Sequence, residues 1–136
     1  MNIAMIDDHA LFRIGLSELL ERRGSIAVEA MGDCAEGIQF VLDSQPDIVL
    51  LDMRMPQMSG LEVLKSLRGK QQQMPIVMLT TSREESDILD SLQNGASGYL
   101  LKDMEPDQLI SALNEILAGK TVVAPELAGV LAQALQ

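Results

Sequence analysis

The chain alternates short, unbroken apolar runs with longer segments whose apolar residues recur at three- and four-residue steps, and it does so five times. Few folds accept that pattern. A run without polar interruption suits a strand covered on both faces, and a helical segment after each run supplies the cover, so the alternation predicts a doubly wound parallel α/β sheet. Four runs end on reactive residues: Asn2 to Ile6 on Asp7-Asp8, Ile48 to Leu51 on Asp52, Ile76 to Leu79 on Thr80, and Gly98 to Leu101 on Lys102. In a parallel sheet the carboxyl ends of the strands share one edge, which would gather three acids, a hydroxyl and an ammonium there.

The pattern predicts strands over residues 2–6, 26–31 and 47–51, a fourth after Pro75 and a fifth after the Asn94-Gly95-Ala96-Ser97 turn. Helices are expected over 10–23, with Leu11, Leu16, Leu19 and Leu20 sharing a face and Gly24 ending it, and over 34–44, closed by Gln45-Pro46. After the loop from Met53 to Met58, Ser59 and Glu62 have capping-box spacing for a helix with a Leu61, Leu64 and Leu67 stripe, closed by Gly69. Ser82 and Glu85 suggest a second capping box for a helix over 84–94, whose thin stripe of Ile88, Leu89 and Leu92 marks it as the least firmly packed. Pro106 is placed to open a helix carrying Leu109, Ile110, Leu113, Ile116 and Leu117, ended by Gly119, and Pro125 to Leu135 has the spacing of a sixth helix.

With 136 residues, 47% of them hydrophobic, the chain has the size and apolar content of one domain. A net charge of −10 argues against this chain holding nucleic acid or an anionic membrane, since both rest on Lys and Arg meeting phosphates. Cys34 is the one cysteine, so no disulfide forms within the chain, and its ordinary role is that of a small apolar side chain. No run approaches the roughly 18 apolar residues of a membrane span, and no signal peptide opens the chain. A soluble, cytoplasmic location is expected.

Adjacent carboxylates at a strand end repel each other unless something neutralises them, and Asp52 adds a third. Such a cluster suits a cation, and all-oxygen donors select a hard ion such as Mg²⁺. His9 is the only histidine, which argues against an imidazole-rich zinc or iron site. Each residue also has a plain alternative: an acid pair as a helix cap, Lys102 as a solvated loop lysine, Thr80 as a β-branched strand residue. Agreement among four strand ends favours the joint site, because capping accounts for neither Thr80 nor Lys102.

Asp7-Asp8, then Asp52-Met53-Arg54-Met55-Pro56 with Gly60 beyond it, then Thr80, then Gly95 to Lys102, together resemble the receiver domain of bacterial two-component response regulators. The resemblance covers about residues 1–120. Lys102-Asp103-Met104-Glu105-Pro106 and the tail from Ala118 through Leu131 look like the NarL/FixJ class, the nitrate/nitrite regulators in particular. Many receivers have proline directly after this lysine; Asp103 takes that place here and favours this class.

The resemblance implies a flavodoxin-like fold with five strands in the order 2-1-3-4-5, and an extra C-terminal helix. It makes Asp52 the acceptor of a phosphoryl group from the phosphohistidine of a sensor histidine kinase. Asp8, Asp52 and the main-chain carbonyl of Arg54 would ligate Mg²⁺, with Asp7 acting largely through metal-bound water. Thr80 and Lys102 would contact phosphoryl oxygens, Thr81 would leave them room, and Tyr99 would follow Thr80 inward as a switch, although ordinary strand packing also suits Tyr99. The Arg54 guanidinium is expected near the acyl phosphate.

Residues 121–136 would then connect to a helix-turn-helix DNA-binding domain outside this sequence, with a homodimer as a possible assembly. Two rivals stand beside this reading. A stand-alone phosphorelay receiver would lack the DNA-binding output. A Mg²⁺-dependent phosphohydrolase with an aspartyl intermediate usually has a second acid two residues after the nucleophile, where this chain has Arg54.

Overall fold

A computed structural model describes residues 1–23 and 25–136. The elements alternate as β1 (Asn2–Ile6), α1 (Ala10–Glu21), β2 (Ala27–Met31), α2 (Cys34–Ser44), β3 (Ile48–Leu51), α3 (Gly60–Gly69), β4 (Ile76–Thr80), α4 (Glu85–Gln93), β5 (Gly98–Leu101) and α5 (Pro106–Leu117). A short strand β6 (Val122–Val123), a 3₁₀ turn (Pro125–Leu127) and α6 (Ala128–Ala134) follow. All strands pair in parallel in the order β2-β1-β3-β4-β5-β6. The order of the first five is the expected one.

The sheet has six strands, which corrects the five-stranded expectation. Val122 N donates to Ser97 O at 3.2 Å and Ala124 N to Tyr99 O at 2.9 Å, so the segment after α5 lies along the free edge of β5. Gly119, with φ of +97°, makes the left-handed turn that returns the chain to that edge. Two valines give no readable alternation, so periodicity misses such a strand.

Each strand divides its side chains between two apolar layers. Ala4, Ile6, Val49, Leu51, Met78 and Tyr99 face the layer beneath α2, α3 and α4, while Ile3, Met5, Ile48, Leu50, Val77 and Leu100 face the layer beneath α1 and α5. That division is the two-residue period of a strand applied to runs with no polar side to spare.

Local chemistry sets most helix ends. Ser59 accepts from Glu62 N at 3.2 Å, as its spacing predicts. Asp33 accepts from Glu36 N at 2.8 Å and starts α2, and Gln45 closes it in the left-handed region with φ of 51°. The second predicted capping box does not form. Glu84, not Ser82, is the N-cap of α4, and the Ser82 hydroxyl instead donates to Asp87 Oδ2 at 2.5 Å.

On α1, Leu16 and Leu20 are buried but Leu11 is 87% exposed, so the four leucines do not share one face. Five residues advance a helix by about 140° past full turns, which carries Leu11 off the side Leu16 occupies. α1 ends at Glu21, and the predicted stop at Gly24 lies outside the described residues. The sixth helix is shorter than its periodicity suggests: its first turn is 3₁₀, and Leu135 is exposed beyond it. It packs on α4, with Leu127 buried and Val130 and Leu131 against the same apolar layer.

Gly60 holds α3 against the end of β3. A Cβ there would stand 2.1 Å from the Asp52 carbonyl oxygen and 2.9 Å from Met53 Cα, all of it backbone. Gly60→Ala is expected to destabilise the domain by about 2 kcal/mol, the usual scale of overpacking, measured as a lowered midpoint in urea. An unchanged midpoint would show that this approach is not tight.

Candidate functional site at the carboxyl edge of the sheet

Register brings the reactive strand ends together. Ile6 pairs with Leu51, and the ladder continues one residue further as Asp52 N donates to Ile6 O and Asp7 N to Met31 O, both at 3.0 Å. Across the sheet Thr80 pairs with Leu101, and Lys102 N donates to Thr80 O at 3.0 Å. Asp7, Asp52 and Thr80 are buried, and Asp8 is half-buried.

Lys102 is not a solvated lysine. Its Nζ lies 2.7 Å from Asp7 Oδ2 and 3.4 Å from Asp52 Oδ2, with a tenth of the side chain exposed. The Phe12 ring lies beneath the ammonium, 4.5 Å from Nζ to centroid. Arg13 Nη1 donates to the Asp7 carbonyl at 2.6 Å, and Gly32 makes room for it, since a Cβ there would meet that nitrogen at 2.6 Å.

One ammonium cannot serve three carboxylates. Asp52 Oδ2 and Asp8 Oδ1 are buried with no hydrogen-bond partner among the described residues. Burial raises the Asp52 pKa above the ordinary 3.8 and the Asp7 charge raises it further, against the opposing pull of Lys102 and the Arg54 backbone N–H. The cluster of Asp7, Asp8, His9 and Asp52 offers ligand atoms that all lie within 4.8 Å of one another. Orphaned oxygens facing a common point fit a divalent cation, and carboxylates suit a hard one.

Thr80 ends β4, and its Oγ1 accepts from Ser82 N at 3.2 Å. Thr81 is exposed. Tyr99 is fully buried, and its hydroxyl donates to the Ser82 carbonyl at 3.0 Å. Burial is the main cause that pushes its phenol up. Thr80 and Tyr99 therefore hold the two ends of one residue.

The Arg54 guanidinium pairs with the start of α4. Nη2 meets Asp87 Oδ2 at 2.5 Å and Glu84 Oε2 at 3.4 Å. Two carboxylates at the start of α4 attract it outward. Since Ser82 Oγ donates to the same Asp87 oxygen, the loop after β3, the loop after β4 and helix α4 share one polar knot.

Sequence reasoning gave no site role to His9, Arg13 or Asp87. His9 Nδ1 lies 3.0 Å from Asp7, 3.5 Å from Asp8 and 3.6 Å from Asp52. Its place directly after the acid pair was the available signal. Nothing in the sequence pointed to Arg13 or Asp87, whose partners are distant or lie on the backbone.

The chain matches the response regulator receiver domain family over residues 3–114. It is 42% identical over 135 residues to the nitrate/nitrite response regulator protein NarL of Escherichia coli K12, spanning 98% of this chain and 62% of that protein. A nitrate/nitrite response regulator homolog from Haemophilus influenzae is 36% identical over 132 residues, with 96% and 64% covered. Among solved structures, a LuxR-family two-component response regulator from Aurantimonas sp. SI85-9A1 superposes with a TM-score of 0.91 at 32% identity, covering 98% of this chain and 96% of that one. A CheY-like receiver domain protein from Methanospirillum hungatei JF-1 gives 0.81 at 25% identity, with 87% and 94% covered.

The chain belongs to the response regulator receiver domain family, whose members serve two-component signalling. Within that family it is similar to the nitrate/nitrite regulators and to LuxR-family proteins, and it spans about three fifths of the length of the NarL protein that it matches.

The raised Asp52 pKa has a consequence for stability. A carboxyl that holds its proton more tightly folded than unfolded contributes stability at low pH, which is lost as pH rises through the folded value. With divalent ions chelated, the parent is expected to lose stability relative to Asp52→Asn as pH rises from below 3.8 toward neutrality. Urea titrations of both proteins across that range check it, and a constant difference would contradict the burial and repulsion described.

Proposed function

We propose that this domain takes a phosphoryl group onto Asp52 from the phosphohistidine of a sensor histidine kinase and passes the event on as a change in conformation. The observation that carries the reading is the buried Asp52 Oδ2, which has no hydrogen-bond partner among the described residues, is ion-paired with the Lys102 ammonium at 3.4 Å and lies beside two further carboxylates. A carboxylate oxygen of Asp52 attacks phosphorus, the phosphorus–nitrogen bond breaks, and the donor imidazole leaves with that electron pair and takes up a proton from solvent. The product is an aspartyl phosphate.

Asp8, Asp52 and the Arg54 carbonyl are the residues we assign to Mg²⁺, with Asp7 alongside through water. The ion supplies charge neutralisation for the nucleophile and the phosphoryl oxygens. Lys102 adds a fixed positive charge from the other side, and the Thr80 hydroxyl donates to a phosphoryl oxygen once one is present. Thr81, outside the cluster, leaves that space open.

Thr80 turning toward the phosphoryl group gives up its bond from Ser82 N and frees the residue that Tyr99 also holds. Tyr99 then moves into the space Thr80 leaves, and the polar knot at Asp87 carries the shift to α4, on which α6 is seated. Residues 1–120 form the receiver and 121–136 the connector in this reading. The output is control of a C-terminal helix-turn-helix DNA-binding domain, as in transcription regulators of this type, with a homodimer as one form of the activated state. The setting is the cytoplasm; among the described residues no helix is long and apolar enough to cross a membrane.

Incubation with Mg²⁺ and a small acyl phosphate is expected to add one phosphoryl group to the parent and none to Asp52→Asn, read by intact mass. Labelling of both would remove Asp52 from its role. Mg²⁺ at about ten times its Kd should add about 1.4 kcal/mol of stability through binding to the native state alone, and Asp8→Asn should lose that gain; a variant that keeps it would discharge Asp8 as a ligand.

The kinase needs a landing surface near Asp52. Leu11, 87% exposed, lines an apolar groove of about 250 Å³ together with Lys102, and Ile14, 59% exposed, follows it on α1. Leu11→Ser is expected to slow transfer from a phosphorylated cognate kinase about tenfold, the scale of a modest interface hot spot, with small-donor phosphorylation unchanged. Equal rates from the kinase would place the landing surface elsewhere.

A further inference from the structure

His9 lies against the acidic cluster but has no part in the function just described. It follows the acid pair directly and caps α1 with extended backbone, yet its side chain makes no capping bond. Its backbone N–H donates to Asp7 Oδ1 at 2.8 Å, which fixes the residue against the cluster. The imidazole Nδ1 turns to the same carboxylate, 3.0 Å from Asp7 Oδ1.

We infer that His9 Nδ1 is a ligand to the cation held by Asp8 and Asp52, and that it shifts the site's preference from Mg²⁺ toward divalent ions that favour nitrogen. The inference rests on the reading above in that a cation must bind there. Its first support is spacing. Ligands about 2.1 Å from one ion lie about 3.0 Å apart at octahedral right angles and about 3.4 Å apart at tetrahedral angles. His9 Nδ1 stands 3.5 and 3.6 Å from oxygens of Asp8 and Asp52, close to the tetrahedral spacing, while its 3.0 Å contact with Asp7 Oδ1 is a hydrogen-bond distance.

The second support is which oxygens these are. Asp8 Oδ1 and Asp52 Oδ2, the atoms facing Nδ1, are the two buried oxygens without a hydrogen-bond partner among the described residues, and Asp52 is 3% exposed.

Three carboxylates alone make a hard site, in which Mg²⁺ is well served. An imidazole among them favours Mn²⁺, Co²⁺ or Zn²⁺, which take nitrogen readily, whereas Mg²⁺ gains little from exchanging a water for it. The chain's single histidine would thus set which ion charges the site.

The test is calorimetric titration of the untagged full chain with Co²⁺ and with Mg²⁺, each alone, for the parent, His9→Ala, His9→Asn and Asp52→Asn. Both His9 variants should bind Co²⁺ at least about tenfold more weakly than the parent, as expected on losing one ligand, and Mg²⁺ within about twofold. Proton spectra of the parent with Co²⁺ should show one paramagnetically shifted imidazole N–H resonance, assignable at once because the sequence holds one histidine.

Unchanged Co²⁺ affinity in either His9 variant, equal losses for both ions, or no shifted resonance would each overturn the assignment of His9. Absence of Mg²⁺ binding by the parent, or Asp52→Asn binding both ions as the parent does, would instead overturn the underlying cation site.

Discussion

Electrostatic crowding at one sheet edge governs this molecule. The register of β1 against β3 forces Asp7 and Asp52 side by side, Asp8 follows, and one buried ammonium from the end of β5 faces two of the three. A fold that places uncompensated carboxylate oxygens out of water gives up stability there. The remainder of the domain tolerates this because two apolar layers and a continuous backbone ladder hold the strands whatever the edge carries. The same crowding makes the edge responsive, since any cation or phosphoryl group that arrives changes a balance already strained by like charges.

The response has a route. Ser82 is gripped at its N–H by Thr80 and at its carbonyl by Tyr99, and its hydroxyl reaches the carboxylate that Arg54 also meets. Arg54 thus belongs, by its side chain, to α4 and not to the cluster, although it stands two residues after Asp52. α4 in turn packs against the terminal helix. A perturbation at Thr80 has few places to go besides this path, because the strands beneath are wholly buried and close-packed.

Much of this was legible in the chain. Unbroken runs such as Ile48 to Leu51 announced covered strands, and the recurrence of Asp, Asp, Thr and Lys at their ends announced the cluster, because parallel pairing puts all carboxyl ends on one side. Where local signals competed, reading was less sure. Ser82 has the spacing of a cap for α4, but the long-range attraction of Asp87 turned its hydroxyl elsewhere. Leu11 reads as core until its angle around the helix is compared with that of Leu16. The valines of β6 are too few to carry a period, and only the open edge of β5 makes a strand of them.

Hydropathy period, capping residues and the identity of strand-end residues lie within a few positions of each other along the chain, and these the sequence by itself determined: the covered parallel sheet, most helix starts, and which residues meet at its edge. What depends on distance through space came from the packing of distant segments: the pairing of Lys102 with Asp7, the oxygens left without a hydrogen-bond partner among the described residues, the turn of Arg54 toward α4, and the approach of the His9 ring to three carboxylates. The physical reason is range. Local backbone preferences act between neighbours, whereas charge and burial are settled only once distant segments have packed together.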